Sequence, residues 1–194
     1  MNAKTYPMNK KQTGFTLSEL IITLAIAAIL LSQAVPSFIT MMKDNRIVTQ
    51  TNSLVTSLNT ARSDAVKRGT RITVCKSADN ATCIAAGGWH QGWIAFTDSN
   101  NDAVVNNTDV VLHTHGPLPA GTTFNGVVGN VANYVSYASS GFSELVGGGG
   151  AQTGTLVLCD DRGFGDRARA IVVNAAGQVR TAPANDPTVA ATTC

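Results

Sequence analysis

Between Leu17 and Met42 the chain is apolar, broken only by small polar residues, Glu19, Gln33 and Pro36. At about 1.5 Å rise per residue, a helix of that length crosses a hydrocarbon core of roughly 30 Å. The sequence therefore predicts one membrane helix close to the amino terminus. Before it stand Lys4, Lys10 and Lys11 with no acid, so the positive-inside tendency holds the first residues in the cytoplasm and sends the rest outward. A conventional secretory signal shares this outline, but no small-x-small cleavage site is followed by an obvious mature start, and amphipathic helical sequence continues past Met42.

That continuation has its own period. Ile47, Thr51, Leu54, Leu58, Ala61 and Ala65 recur at steps of four and three, a stripe that must face a packed partner. Pro36 should kink the helix or release one of its backbone bonds. Gly69 is the expected stop, after a basic last turn of Lys67 and Arg68 that suits the negative end of the helix dipole. Lys43, Arg46, Arg62, Lys67 and Arg68 read as a solvated face. A helix of about 50 residues would reach some 75 Å, half of it beyond the bilayer.

After Gly69 the pattern changes to short runs rich in Val, Ile, Thr and aromatics, separated by Gly, Asn, Asp and Pro. Residues 71–76, 89–97, 109–113, 133–138, 155–159 and 168–173 read as strands. Ala175-Ala176-Gly177, between Val173 and Val179, has the length of a hairpin turn. The run Gly147 to Gly150 reads as a loop tip. With 194 residues and 44% hydrophobic content, the chain has room for one domain plus an appendage and is no disordered tail. The formal charge of +2 misleads: from Gly69 onward six basic side chains face nine acidic ones, which excludes a general electrostatic grip on nucleic acid.

At the edge of the apolar run stands Lys10-Lys11-Gln12-Thr13-Gly14-Phe15-Thr16-Leu17-Ser18-Glu19-Leu20, with a glutamate four residues past an aromatic. An ionised carboxylate in lipid costs several kcal/mol unless paired. No Lys or Arg occurs between Lys11 and Lys43. The segment resembles the class III leader of type IV pilins and type II secretion pseudopilins. The resemblance implies that a prepilin peptidase cuts between Gly14 and Phe15 and methylates the new amino terminus. Glu19 would then meet the α-amine of Phe15, its own or a neighbouring subunit's, and register assembly.

The remainder resembles the GspH/FimT-type minor pseudopilins and minor pilins. Thr73-Val74-Cys75-Lys76-Ser77, Gly92-Trp93-Ile94-Ala95-Phe96-Thr97-Asp98, and Leu158-Cys159-Asp160-Asp161-Arg162-Gly163 leading to Ala168-Arg169-Ala170-Ile171 carry it. The expected fold is α+β and pilin-like: one long N-terminal helix, transmembrane in its first half, packed on a β-rich head. The expected parts are a cleaved leader at 1–14, a transmembrane half-helix at 15–42, a periplasmic half-helix at 43–69 and a head at 70–194. Expected partners are the prepilin peptidase, other major and minor pilins or pseudopilins, and the inner membrane. The chain is expected to sit in a bacterial inner membrane with its head in the periplasm, then in a pilus or pseudopilus.

Four cysteines outside the cytoplasm favour disulfides. Cys75 and Cys83 close a short loop and form the expected local pair, which leaves Cys159 to hold Cys194. Zinc is disfavoured, since no C-x-x-C spacing exists. Asp98, Asn100, Asp102 and Asp109 have the oxygen spacing of a calcium loop. Against that, Ala103 replaces the usual glycine, Asp109 replaces a bidentate glutamate, and an Asp/Asn-rich turn accounts for the run equally well. No cofactor is expected beyond this weak calcium candidate.

Arg162, Arg167, Arg169 and Arg180 are the candidate DNA contacts. Some FimT-like members act in DNA uptake through a Gly-Arg-x-Arg motif; here Gly177-Gln178-Val179-Arg180 keeps only the second arginine. Ordinary surface ion pairs with Asp160, Asp161, Asp166 and Asp186 are the competing reading. His113 and His115 share a strand face without a third ligand nearby, and read as ordinary surface histidines. Nothing resembles a nucleophile elbow or an acid/base pair, so an enzyme is not expected.

Overall fold

The computed structural model describes residues 14–194; the leader expected at 1–14 lies outside them except for Gly14. A single helix, α1 (Leu17–Arg68), runs through two compact units, one ending at Met42 and one spanning Lys43–Cys194. In the first unit the side chains are exposed throughout. Its hydroxyls turn back on the helix: Thr23 Oγ1 donates to the Leu20 carbonyl at 2.9 Å, Ser32 Oγ to Ile29 at 2.7 Å, and Thr40 Oγ1 to Pro36 at 3.1 Å. Small polar residues can thus sit in an apolar run without presenting unmet donors to it. Pro36 lies inside the helix without ending it.

In the second unit, the stripe read from the sequence is buried in full, with Gln50 added to it. Ala61 and Ala65 keep the helix surface low, so strands can approach closely. Gly69, at φ +64°, ends the helix in the left-handed conformation that glycine adopts without steric cost.

Two four-stranded antiparallel sheets follow. The first has the order β3-β2-β1-β5, built from β1 (Ile72–Lys76), β2 (Trp93–Thr97), β3 (Val111–His115) and β5 (Tyr134–Tyr137). The second has the order β4-β6-β7-β8, from β4 (Thr123–Gly129), β6 (Gly154–Cys159), β7 (Arg169–Val173) and β8 (Val179–Pro183). Val74 pairs with Ala95 and Val135, and Val157 with Asn125 and Ala170.

Period-2 alternation assigns the faces. Ile72, Val74, Val135, Tyr137, Leu156, Leu158, Ile171 and Val173 join Leu54, Leu58, Ala61 and Ala65 in the main core. The opposite face of β6 carries Val157 and Cys159, covered by Ala184, Val189 and Ala191 of the C-terminal segment. Cys159 is bonded to Cys194, with Cα atoms 6.0 Å apart. On the outer side of the first sheet, Cys75, Ile94 and Phe96 pack beneath Cys83, Val105 and Val111; Cys75 is bonded to Cys83.

Three strand readings are corrected. The run 89–97 breaks into a 3₁₀ turn at Trp89–Gln91 and a strand from Trp93. Gly92 separates them at φ +116°, where an added Cβ would come within 2.6 Å of the His115 carbonyl oxygen. The strand placed at 109–113 begins at Val111, because the Asp109 carboxylate accepts the Ser99 and Asn106 N–H groups and holds that residue in the preceding turn. Strand β4 was absent from the sequence reading; its Asn125-Gly126 looks like a turn but lies at a bulge in the β4–β6 pairing.

Gln152 closes the gap between the sheets. Fully buried, its amide donates to the Asn130 and Tyr134 carbonyls at 2.7 and 2.8 Å, while its Oε1 accepts the Ser136 N–H at 2.8 Å. Truncation of the stripe is expected to be costly: Leu58→Ala should lower stability by about 2–5 kcal/mol, the range for emptying a packed leucine site. Denaturant unfolding of the detergent-solubilised chain, followed by tryptophan emission, measures it.

Candidate functional site

At the start of α1, Thr16 Oγ1 accepts the Glu19 N–H at 3.3 Å and the Thr16 carbonyl accepts the Leu20 N–H at 3.1 Å. Thr16 is thus the N-cap, and Glu19 occupies the third helical position. A carboxylate there is favoured by the positive end of the helix dipole. Phe15 is 86% exposed and Gly14 has open space around it, so the Gly14–Phe15 bond is accessible. Among the described residues the Glu19 carboxylate has no cationic partner.

A second constellation gathers where the head begins. Asp44 accepts from Arg162 Nη1 at 2.6 Å and also pairs with Arg167, while Lys43 Nζ donates to Asp161 at 2.6 Å. Arg162 Nη2 in turn reaches Asp160 at 2.7 Å. The Arg162 hydrogen bond, reinforced by Arg167, holds the Asp44 carboxyl below the usual aspartate range. At Asp160 burial pushes the other way, and the hydrogen bonds from Arg162 outweigh it.

The candidate DNA contacts are therefore largely committed. Arg162 and Arg167 belong to this collar; Arg169 Nη1 reaches the Asp166 carbonyl at 3.4 Å, and Arg180 Nη2 donates to the Thr188 carbonyl at 3.0 Å. Arg162 and Arg167 share the loop 160–167 and the Asp44 carboxylate, while Arg169 opens β7 and Arg180 lies on β8.

The oxygens with calcium-loop spacing are engaged within the turn. Asp98 is buried, and its oxygens accept the Asp102 and Ala103 N–H groups and the Thr73 hydroxyl. Asn100 donates to Asp102 at 2.6 Å, and Asp109 caps two backbone N–H groups. These oxygens organise the turn from within, and among the described residues no three His, Cys, Asp or Glu side chains converge as a metal site.

The histidines are also occupied. His113 Nε2 lies 3.1 Å from Asp64 Oδ2, and His115 stacks on Trp93 with ring centroids 3.9 Å apart. Arg62 departs from the solvated-face reading: its Nε donates to Gly141 O at 2.8 Å and its Nη2 to Ala176 O at 2.9 Å. Arg71 similarly reaches Ser136 Oγ at 2.8 Å and Glu144 at 3.1 Å. Lys76, nearly inaccessible, donates to the Ala85 and Gly87 carbonyls at 2.9 and 2.8 Å, and burial pushes its ammonium pKa down.

A family model described as type II transport protein GspH matches residues 50–177. The chain belongs to the GspH family. A second model, the prokaryotic N-terminal methylation motif, matches residues 9–32. A GspH-family chain with that motif is a minor pilin or pseudopilin of a type IV pilus or type II secretion system, a structural subunit and not an enzyme. The motif implies processing by a prepilin peptidase and assembly with other pilins or pseudopilins.

Among solved structures, the type IV minor pilin FimU of Pseudomonas aeruginosa is similar at 17% identity and a TM-score of 0.52, over 73% of this chain and 92% of that one. The fold is thus a pilin fold. The minor pseudopilin EpsH of the Vibrio cholerae type II secretion system aligns at 13% identity and a TM-score of 0.49, over 74% of this chain and 98% of that one. No curated protein sequence matches the chain.

The GspH-family head should show the collar's charge in its acid response. A carboxyl whose folded pKa is depressed stabilises above its unfolded value, and that contribution is lost as pH falls through the lowered folded value. Asp44→Asn is therefore expected to lower Tm at neutral pH, with the difference from wild type closing as pH drops below the ordinary aspartate value of 3.8. Melts followed by circular dichroism at low and high salt check it, salt narrowing the gap.

Proposed function

We propose that this GspH-family chain is a minor subunit that enters a helical filament through residues 15–42 after cleavage between Gly14 and Phe15. The single observation that carries the reading is the start of α1. Thr16 caps the helix and holds Glu19 in its first turn, in an exposed apolar run where no side-chain cation is available between residues 15 and 42. Once the leader is gone, the methylated α-amine on Phe15 is the cation that a packed bundle of such helices can offer to Glu19. Pairing with the amine of an adjacent subunit offsets the several kcal/mol that an isolated intramembrane carboxylate would cost.

On this reading the chain spans the inner membrane once at 15–42, with 43–69 and 70–194 in the periplasm, before extraction into the filament. Its part is mechanical: it helps prime assembly or sits at the tip beside other minor subunits. A filament-borne DNA receptor is the competing role. The acidic balance of the head and the two carboxylates already bound to Arg162 favour the structural role over it.

A strain lacking the gene is complemented with wild type or with Glu19→Ala. Mass spectrometry is expected to find the mature chain beginning at N-methylated Phe15 in both. Electron microscopy should show surface pili restored by wild type and lost with Glu19→Ala. Normal pili in the deletion strain would instead direct the test to the exported proteins of a secretion apparatus, and normal incorporation of the alanine variant would remove Glu19 from assembly.

A further inference from the structure

We propose that the loop 160–167 is a lipid-contacting foot of the head, in which Phe164 enters the phospholipid interface and Arg167 meets headgroup phosphates. The proposal rests on the membrane-anchored reading above. Three observations carry it.

The first is position along the chain. Leu17 to Met42 rises about 39 Å as a helix, beyond the roughly 30 Å hydrocarbon core and close to the 40–45 Å that includes the headgroups. Lys43 and Asp44, the first residues past that run, are therefore placed at the headgroup level for a span close to the bilayer normal. The second is the pinning of the loop to those two residues. Asp161 holds Lys43, and Arg162 and Arg167, on either side of the loop tip, both hold Asp44. The tip cannot be far from the level of its two anchors.

The third is the tip itself. Phe164 is 36% exposed, between Gly163 and Gly165, around which the structure leaves open space. Aromatic side chains are favoured where hydrocarbon meets headgroups. The carboxylates beside it are each paired, Asp161 with Lys43, Asp160 with Arg162, Asp44 with Arg162 and Arg167, and Asp166 with Arg167 at 3.6 Å, which reduces the repulsion an acidic loop would meet at a phosphate surface. Arg167 keeps half of its side chain exposed while holding Asp44, so a planar guanidinium remains available to a phosphate.

The test uses the full chain in bilayers whose phospholipid carries bromine near the carbonyl end of the acyl chain. Trp89 and Trp93 are buried at 0% and 1% exposure and supply a constant background. Phe164→Trp should lose emission in the brominated bilayer relative to the unbrominated one, beyond any loss in wild type. Ile26→Trp, within the apolar run, reports whether the helix is inserted. Loss in both variants supports the foot. Loss in Ile26→Trp without loss in Phe164→Trp overturns it and leaves the anchor standing. No loss in either overturns the anchored reading and the foot with it.

Discussion

The burial of one helical stripe against two separate sheets is the constraint on which the head depends. Leu54, Leu58, Ala61 and Ala65 lie in the same core as Val74 and Val135 of one sheet and Leu156 and Ile171 of the other. Each fully buried leucine contributes about 1.5–3 kcal/mol relative to exposure, and here that contribution is shared across both sheets. Outer faces are handled differently. A C-terminal segment tied by Cys159–Cys194 covers one, and a loop tied by Cys75–Cys83 covers the other. With the helix stripe against Leu156 and Leu158 and the C-terminal segment over Val157 and Cys159, β6 is buried along its whole length.

What the sequence revealed followed from periodicity and local motif. Six apolar or small residues at steps of three and four marked the helix stripe, and Gly69 marked its end, because a helix repeats its environment every turn. The leader motif was legible because its chemistry lies within eleven consecutive residues. Strand β4 escaped because Asn125-Gly126 has turn chemistry, overridden here by pairing with β6 through a bulge. The collar escaped for a different reason. Asp44 and Arg162 are 118 positions apart, and no period in either segment records that contact. The Asp98–Asp109 run shows that spacing alone carries two readings, since its side-chain oxygens, spaced as cation ligands, accept the turn's own N–H groups.

Charge in the head is spent locally. Arg62, Arg71 and Lys76 donate to backbone carbonyls between elements, and Arg162 and Arg167 are held by carboxylates. A buried ammonium such as Lys76 depends on its carbonyl partners for the solvation it lost, so it ties Ala85 and Gly87, in the segment just after the Cys75–Cys83 loop, back to β1. Asp79 works from inside that loop, accepting the Thr82 and Ala81 N–H groups and the Ser77 hydroxyl. The basic side chains of this fold thus act mainly as internal fasteners.

Arg62 has a mechanical consequence. From one position on α1 it grips Gly141, in the segment following the first sheet's β5, and Ala176, in the turn joining β7 to β8 of the second. A pull along the axis of the Lys43–Arg68 half of the helix therefore loads both sheets together. Their packing against the stripe resists in shear, with many contacts strained at once, whereas a helix attached to one sheet alone would let its strands peel away one after another.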